Sequence, residues 1–382
     1  MILLNNPHKT ITPLILVLVL LIKSLSQAAP EPPSIVSFSP TVGSIGTEVT
    51  LTGTNFSSIP TNNIVYFGAT KATVTAATAT QLTVTVPTGA TYAPITVLNT
   101  LTGLLAYSNS NFTPTFTPNK GDITSSDFSA KVDFTPGLNP FSVAIADLDD
   151  DGKADLAVAN YGSNSVSVFR NTSSIGSVSY AAKIDHTTGS APLFVATGDL
   201  DGDGKADLAV TNGNTVSVFR NTSSSGNISF ATKVDISSTN PTSMAIGDLD
   251  GDGKADLAVT NESSNTVSVF RNTGSSGIIS FAAQVGFTTG TTPISVAISD
   301  FNGDGKADLA VGNVYSNTIS VFRNTGNTGI ISYAAKEDLA VETNPYSVDI
   351  GDLDGDGKPD LAVANFSSNI VSVFRNNAAA GQ

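Results

Sequence analysis

Five copies of one short acidic loop, spaced 49 to 52 residues apart, constrain this chain more than any other feature. The third copy reads Gly247-Asp-Leu-Asp-Gly-Asp-Gly-Lys-Ala-Asp-Leu-Ala-Val259, with carboxylates at Asp248, Asp250, Asp252 and Asp256. The others are Asp147/Asp149/Asp151/Asp155, Asp199/Asp201/Asp203/Asp207, Asp300/Asn302/Asp304/Asp308 and Asp352/Asp354/Asp356/Asp360. Alternating carboxylates on a tight turn converge on one point. Each close pair repels by roughly a few kcal/mol at an effective dielectric near 20. Such a loop is costly when empty, and a hard dication taking about 6–8 oxygen ligands relieves the cost.

The spacing predicts ligands at positions 1, 3, 5 and 9, with the backbone carbonyl of position 7 as a further donor. Position 7 is Lys153, Lys205, Lys254, Lys306 or Lys358, whose side chain is expected to point to water. Position 6 is always glycine (Gly152, Gly204, Gly253, Gly305, Gly357), which permits positive φ in the turn. The pattern resembles the calcium loop of the EF-hand, but its last carboxylate is ninth rather than twelfth. The flanks are short and apolar without helical period, so they read as two strands of a hairpin. Oxygen donors argue against zinc or copper, and magnesium resists the dehydration such a loop demands. Up to five Ca2+ are expected, with the fourth site weaker because Asn302 lacks the charge. The competing reading of any one loop is a solvated acidic turn; five registered copies argue against it.

The 382 residues carry a net charge of −14, no Cys and two His. Most of the acidic residues lie in the five loops, so the acidity is largely metal-site charge. It argues against nucleic acid as a partner, which would need a basic face. At the N-terminus, His8 and Lys9 precede an apolar run from Ile11 to Ile22 and then Ser26-Gln27-Ala28. That run falls short of the roughly 20 residues a spanning helix needs. Residues 1–28 therefore read as a secretory signal cleaved near Ala28, with an uncleaved anchor as the alternative. The expectation is a secreted or cell-surface protein with no membrane span after cleavage.

Residues 31–113 read as strands throughout. Val49, Leu51 and Gly53, then Leu82, Val84 and Val86, then Ile95 and Val97, alternate with polar residues, and turn residues separate the runs. The order Ser39-Pro40-Thr41-Val42-Gly43, Leu51-Thr52-Gly53-Thr54-Asn55-Phe56 and Val65-Tyr66-Phe67-Gly68 resembles the IPT/TIG family. The resemblance implies an immunoglobulin-like β-sandwich, often a spacer or binding unit. Residues 114–123, rich in Thr, Pro and Asn, read as a linker.

Residues 124–377 hold the repeat. Each unit has four strand-like runs, A to D; in the third they are 243–247, 257–260, 266–271 and 279–285, with the metal loop joining A to B. Periods of about 40–50 residues point to propellers or solenoids, and four short antiparallel strands match a propeller blade. A D-like run, Phe128 to Phe134, comes before the first A, and the last unit stops after C at Arg375. The expected fold class is all-β: a sandwich followed by a five-bladed propeller, closed when Phe128–Phe134 pairs with the final C strand. Phe169, Phe219, Phe270, Phe322 and Phe374 recur in strand C and are expected to pack between blades. The arginine after each could bind loop carbonyls or a neighbouring blade's carboxylate.

Loops and blade together resemble the FG-GAP/VCBS repeat family, which includes the head propeller of integrin α chains. The resemblance implies that the aspartates above are calcium ligands. Family propellers commonly have seven blades against five loops here, and no inserted ligand-binding domain is present.

No nucleophile–base pair is evident: His8 leaves with the signal, and His186 stands alone in an expected loop. The favoured function is an exported calcium-binding adhesion or binding protein. Its variable B–C and D–A loops, carrying Tyr161, Glu262, Tyr315 and Phe366, and Phe141, Leu193 and Tyr346, would meet an extracellular glycan or protein. The alternatives are a polysaccharide lyase or hydrolase working in the propeller mouth, with calcium as electrophile, and a passive spacer or matrix component.

Overall fold

Alternation of apolar and polar residues builds the first domain. In the structure, a computed structural model describing residues 30–116 and 125–379, eight strands follow in order. They are β1 (Ser34–Ser39), β2 (Val42–Ser44), β3 (Glu48–Thr54), β4 (Asn63–Phe67), β5 (Thr70–Ala77), β6 (Gln81–Thr85), β7 (Ala93–Asn99) and β8 (Leu104–Thr115). Their order is β1-β3-β6-β5-β4-β7-β8-β2. β5 passes between the two layers: Thr70–Ala72 pair with β4, and Thr73–Ala77 with β6. Each layer turns one side chain in two inward. Val49, Leu51, Val65, Phe67, Leu82, Val84, Ile95 and Val97 fill the space between and are fully buried. The expected leader (1–28) and residues 117–123 of the expected linker lie outside the described residues.

Five sheets follow. Blade 1 is β9 (Pro140–Ala146), β10 (Asp155–Asn160), β11 (Ser165–Phe169) and β12 (Ile184–Thr187). Blade 2 is β13 (Pro192–Gly198), β14 (Asp207–Asn212), β15 (Thr215–Phe219) and β16 (Val234–Ser237). Blade 3 is β17 (Pro241–Gly247), β18 (Asp256–Asn261), β19 (Thr266–Phe270) and β20 (Val285–Thr288). Blade 4 is β21 (Pro293–Ser299), β22 (Asp308–Asn313), β23 (Thr318–Phe322) and β24 (Glu337–Ala340). Blade 5 has only β25 (Pro345–Gly351), β26 (Asp360–Asn365) and β27 (Ile370–Phe374). All neighbours are antiparallel, and among the described residues no helix is long and apolar enough to cross a membrane.

Two expectations are corrected. Strand D begins later than its apolar run suggests: β20 starts at Val285. Residues 272–281 instead form a turn closed by the Asn272–Phe281 and Ser275–Ile278 bridges, because Gly277 at φ 82° reverses the chain there. The second correction concerns the ring. Phe128–Phe134 is not a strand and does not pair with β27. Phe134 packs on Phe169 and Tyr180 of blade 1, which holds this segment at the first blade. The turn per blade, fixed by apolar contacts between successive blades, leaves blade 5 away from it. His186, expected in a loop, lies in β12 with its ring against Phe219 and Phe230.

Blades join through aliphatic side chains and one repeated asparagine. Between blades 2 and 3, Leu200, Ala209, Val216 and Val218 meet Met244, Leu257, Val259 and Phe270. The asparagine follows the arginine of each strand C. Asn272 Nδ2 donates to Ala255 O of its own blade (2.9 Å) and Leu200 O of the preceding one (2.8 Å). Asn221, Asn324 and Asn376 repeat the bond to Leu148, Leu249 and Phe301. Asn171, with no described blade before it, donates among the described residues only to Ala154 O. Replacing Asn272 by Ala strands two carbonyls and is expected to cost about 2–4 kcal/mol. Asn171→Ala should cost about half as much, and the two denaturation midpoints compare them directly.

Candidate metal centre

Each A–B turn folds around its first aspartate. Asp199 accepts N–H groups of Gly202 (2.7 Å) and Asp203 (3.2 Å) on Oδ1, and of Gly204 (2.9 Å) on Oδ2. Asp201 accepts from Asp203 N, and Asp203 from Lys205 N. These short-range bonds are why D-x-D-x-D-G folds locally: each carboxylate caps the N–H groups that follow it. The ninth-position aspartate is held differently. Asp207 takes Leu200 N on one oxygen and Asn221 N on the other, both within 2.8 Å, and Asp155, Asp256, Asp308 and Asp360 repeat the pattern.

The turns gather carboxylates. Oxygens of Asp147, Asp149 and Asp155 lie within 4.8 Å of one another, as do those of Asp199, Asp201 and Asp203, of Asp248, Asp250 and Asp256, and of Asp352, Asp354 and Asp356. The fourth turn forms no such group; Asn302 Nδ2 donates to Asp304 Oδ2 at 3.1 Å. Asp151, Asp207, Asp252 and Asp360 stand outside the groups of their own loops. These clusters could hold metal ions. A buried atom supports the fit: Asp149 Oδ2 and Asp250 Oδ2, both at position 3, have no hydrogen-bond partner. A buried carboxylate oxygen without a hydrogen-bond donor is what a hard cation would satisfy, even where, as at Asp250, an arginine stands 3.9 Å away.

The electrostatics point the same way. Burial pushes Asp256 up to about 8, with Asp250 and Asp248 adding to the rise. Burial likewise raises Asp155, Asp199 and Asp250 to about 7, and Asp248 and Asp308 to about 6. Asp207 is raised well above the ordinary carboxylate range by the same cause.

Two expectations about neighbouring cations change. Lys205, Lys254 and Lys306 do not reach for water; each Nζ donates at 2.7 Å to a carbonyl of its own blade's C–D turn (Ser223, Gly274, Gly326). The turn's exposed carbonyl offers a nearer partner than solvent. Three arginines of strand C face their own blade's third-position aspartate rather than a neighbour's. Arg220 and Arg271 stand 3.9 Å from Asp201 and Asp250, and Arg375 pairs with Asp354 and Asp356. Strand C ends beside its own A–B turn, which sets this geometry.

Nothing in the sequence signals that the sandwich sits on this rim. Tyr66 Oη donates to Gly204 O at 2.7 Å, Leu105 N to Gly253 O at 2.5 Å, and Asp147 N to Ala69 O at 3.1 Å. Lys71 pairs with Asp150 at 3.0 Å, and Leu98 and Leu105 join the apolar core of blades 2 and 3. The only local hint was an apolar Leu104-Leu105 at the start of the last sandwich strand.

Blades of antiparallel strands with an acidic A–B turn in each define a propeller-type repeat protein. The FG-GAP-like repeat matches residues 147–210, 199–259, 248–311 and 300–363, and the chain belongs to this family. The IPT/TIG domain matches residues 33–116. No curated protein matches the chain. Among solved structures, an auxiliary nutrient binding protein from Bacteroides thetaiotaomicron is 12% identical with a TM-score of 0.33, over 91% of this chain and 99% of that one. A functionally unknown protein from Desulfotomaculum acetoxidans is 18% identical with a TM-score of 0.43, over 63% of this chain and 71% of that one. Likeness at this level says nothing of function.

The raised carboxylates fix the sign of a pH effect. Folded and metal-free, they bind protons more tightly than the unfolded chain, whose aspartates titrate near about 3.9. Their contribution to stability is full below that value and is lost as pH rises through about 6–8. The metal-free protein is expected to melt lower at pH 8 than at pH 5.5. Millimolar calcium should reverse this at pH 8, each site adding about 2.7 kcal/mol at a hundredfold excess over Kd, while magnesium does not. Melting curves in chelator, calcium and magnesium at both pH values check it; identical curves would refute cation binding. In calorimetric titration, Asn302→Asp should tighten the weakest site and leave the others unchanged.

Proposed function

We propose that this is an exported calcium-binding recognition protein, in which calcium is structural and the rim opposite the metal turns contacts an extracellular glycan or protein. The observation that carries the reading is a set of exposed aromatic rings on that rim. Phe141 and Tyr161 stand 6.2 Å apart, and Tyr346 and Phe366 5.6 Å apart; Tyr315 is also exposed. Rings left in water forgo burial free energy, and grouped exposed rings mark contact surfaces. The sandwich covers much of the other rim, which leaves this one free. Within the proposal the aspartates hold cations rather than exchange protons with a substrate, so the protein is not an enzyme. The apolar stretch at 11–22 supports export. The cations would sit on the first-, third-, fifth- and ninth-position aspartates and Asn302, and on the seventh-position lysine carbonyls.

Glycan arrays and cell-surface binding assays test the reading. Tyr346→Ala with Phe366→Ala is expected to weaken the bound ligand at least about tenfold, as loss of interface aromatic anchors does, without moving the calcium-loaded melting temperature. Unchanged binding, or release of new reducing ends from a polysaccharide, would overturn it.

A further inference from the structure

The contact between successive blades is built four times in this chain, and each half of it is present once more without a partner. On the incoming side of a blade, Val195, Met244, Val296 and Val348 are at most 7% exposed, whereas the equivalent Val143 of blade 1 is 59% exposed and its neighbour Ile145 53%. On the outgoing side, Val166, Val216, Val267 and Ile319 are fully buried, whereas the equivalent Val371 of blade 5 is 67% exposed. Val373 and Leu353 on the same side are exposed as well. The asparagine bond repeats this asymmetry. Asn171 lacks the carbonyl of a preceding blade, and among the described residues no asparagine reaches the Leu353 carbonyl.

The fourth strand is divided in the same way. Blades 1, 2 and 4 carry Lys183-Ile-Asp-His186, Lys233-Val-Asp-Ile236 and Lys336-Glu-Asp-Leu339. In each, the lysine pairs with the aspartate, which accepts a 2.6 Å bond from the central serine of strand C (Ser167, Ser217, Ser320). The residue after that aspartate faces the next blade, as Phe287 does in blade 3, packing on Phe322 and Tyr333 at 6.3 and 5.0 Å. Lys131-Val-Asp-Phe134 is a fourth copy of this Lys-x-Asp pattern, which blade 3 lacks (Gln284-Val-Gly-Phe287). Lys131 pairs with Asp133, and Phe134 lies 6.3 Å from Phe169 and 5.0 Å from Tyr180. This segment, though not a strand, occupies a fourth strand's place against the following blade, with no third strand beside it among the described residues. Among the described residues β27 is a third strand with no fourth, and its Ser372 accepts from Asn365 without an aspartate to donate to.

We propose that copies of this chain associate head to tail, β27 of one pairing with residues 132–135 of the next. In the register of the internal blades, Val371 lies opposite Phe134, Ser372 opposite Asp133 and Val373 opposite Val132. Val143 and Ile145 of one copy then cover Val371, Val373 and Leu353 of the other, and Asn171 reaches the Leu353 carbonyl. The occupant is a second copy because the surface it must match is the internal blade interface, residue for residue. One position departs: Asp349 stands where other blades have Ala144, Ala196, Ala245 and Ala297. Its desolvation makes the joint weaker than an internal one, so association depends on concentration. The contact is heterologous, closing into a ring if the rotation permits and extending otherwise.

Sedimentation of the calcium-loaded protein over about 1–100 μM tests this, a range that suits a weak joint. The mass is expected to rise with concentration. Val371→Asp with Val373→Asp, or Val143→Asp with Ile145→Asp, should each give a monomer. An equal mixture of the two variants should form a species of two copies and no more, since each keeps one good face. Asp133→Asn, at an exposed side chain, should weaken association several-fold with the melting temperature unchanged. A wild-type mass that stays monomeric throughout, or variants that fold as wild type by circular dichroism but fail to pair when mixed, would overturn the proposal.

Discussion

Mutual repulsion among aspartates confined to the A–B turns is the constraint around which the rest is arranged. The fold meets it by aiming backbone N–H groups at every carboxylate it can reach. The ninth-position aspartate shows how far this goes, taking the N–H of the second-position residue on one oxygen and that of the strand-C asparagine on the other. Such bonds stabilise charge but do not remove it, and burial still drives several of these groups toward neutrality. A divalent cation bound in the turn would remove the conflict.

The turn and the blade interface share atoms. Leu200 donates its N–H to Asp207, buries its side chain between blades 2 and 3, and offers its carbonyl to Asn272 of the next blade. Leu148 and Leu249 do the same one blade before and one after. Charge at a turn is therefore felt one blade along, through one residue and one amide. Gly277 N extends the link by donating to Asp201 Oδ2 across the interface at 3.1 Å.

What was legible in the sequence was local. Loops, glycines and strands A to C were readable because their bonds connect residues at most 20 positions apart, and a hairpin writes its own alternation. The strand-C asparagine was printed five times after the Phe-Arg pair. Its role was hidden because Asn324 and Leu249 are 75 positions apart. Strand D was misplaced because Phe281 continues the apolar run while Gly277 turns the chain. Ring closure failed for another reason. Complementary end sequences specify which strands can pair, but not how far four interfaces rotate the chain. Seating of the sandwich depends on Tyr66 and Leu105 meeting two glycine carbonyls, and neither contact has a periodic signature.

Where the sandwich ties in explains why the two rims differ. Its bonds fall on the sixth-position carbonyls of turns 2 and 3 and on the first-position amide of turn 1. The same backbone segments set the aspartate geometry, so a cation bound there and the docked sandwich would act on one set of dihedrals. A rim engaged in this way tolerates little variation. Turn 5 has no such tie among the described residues. Asp352, Asp354 and Asp356 are exposed there, and Arg375 supplies the positive charge, whereas Arg220 and Arg271 stand back at 3.9 Å. In the covered blades a cation would meet a preformed cradle; in the last it must displace a guanidinium. Sequence freedom is left to the far rim, and there the aromatic residues differ from blade to blade.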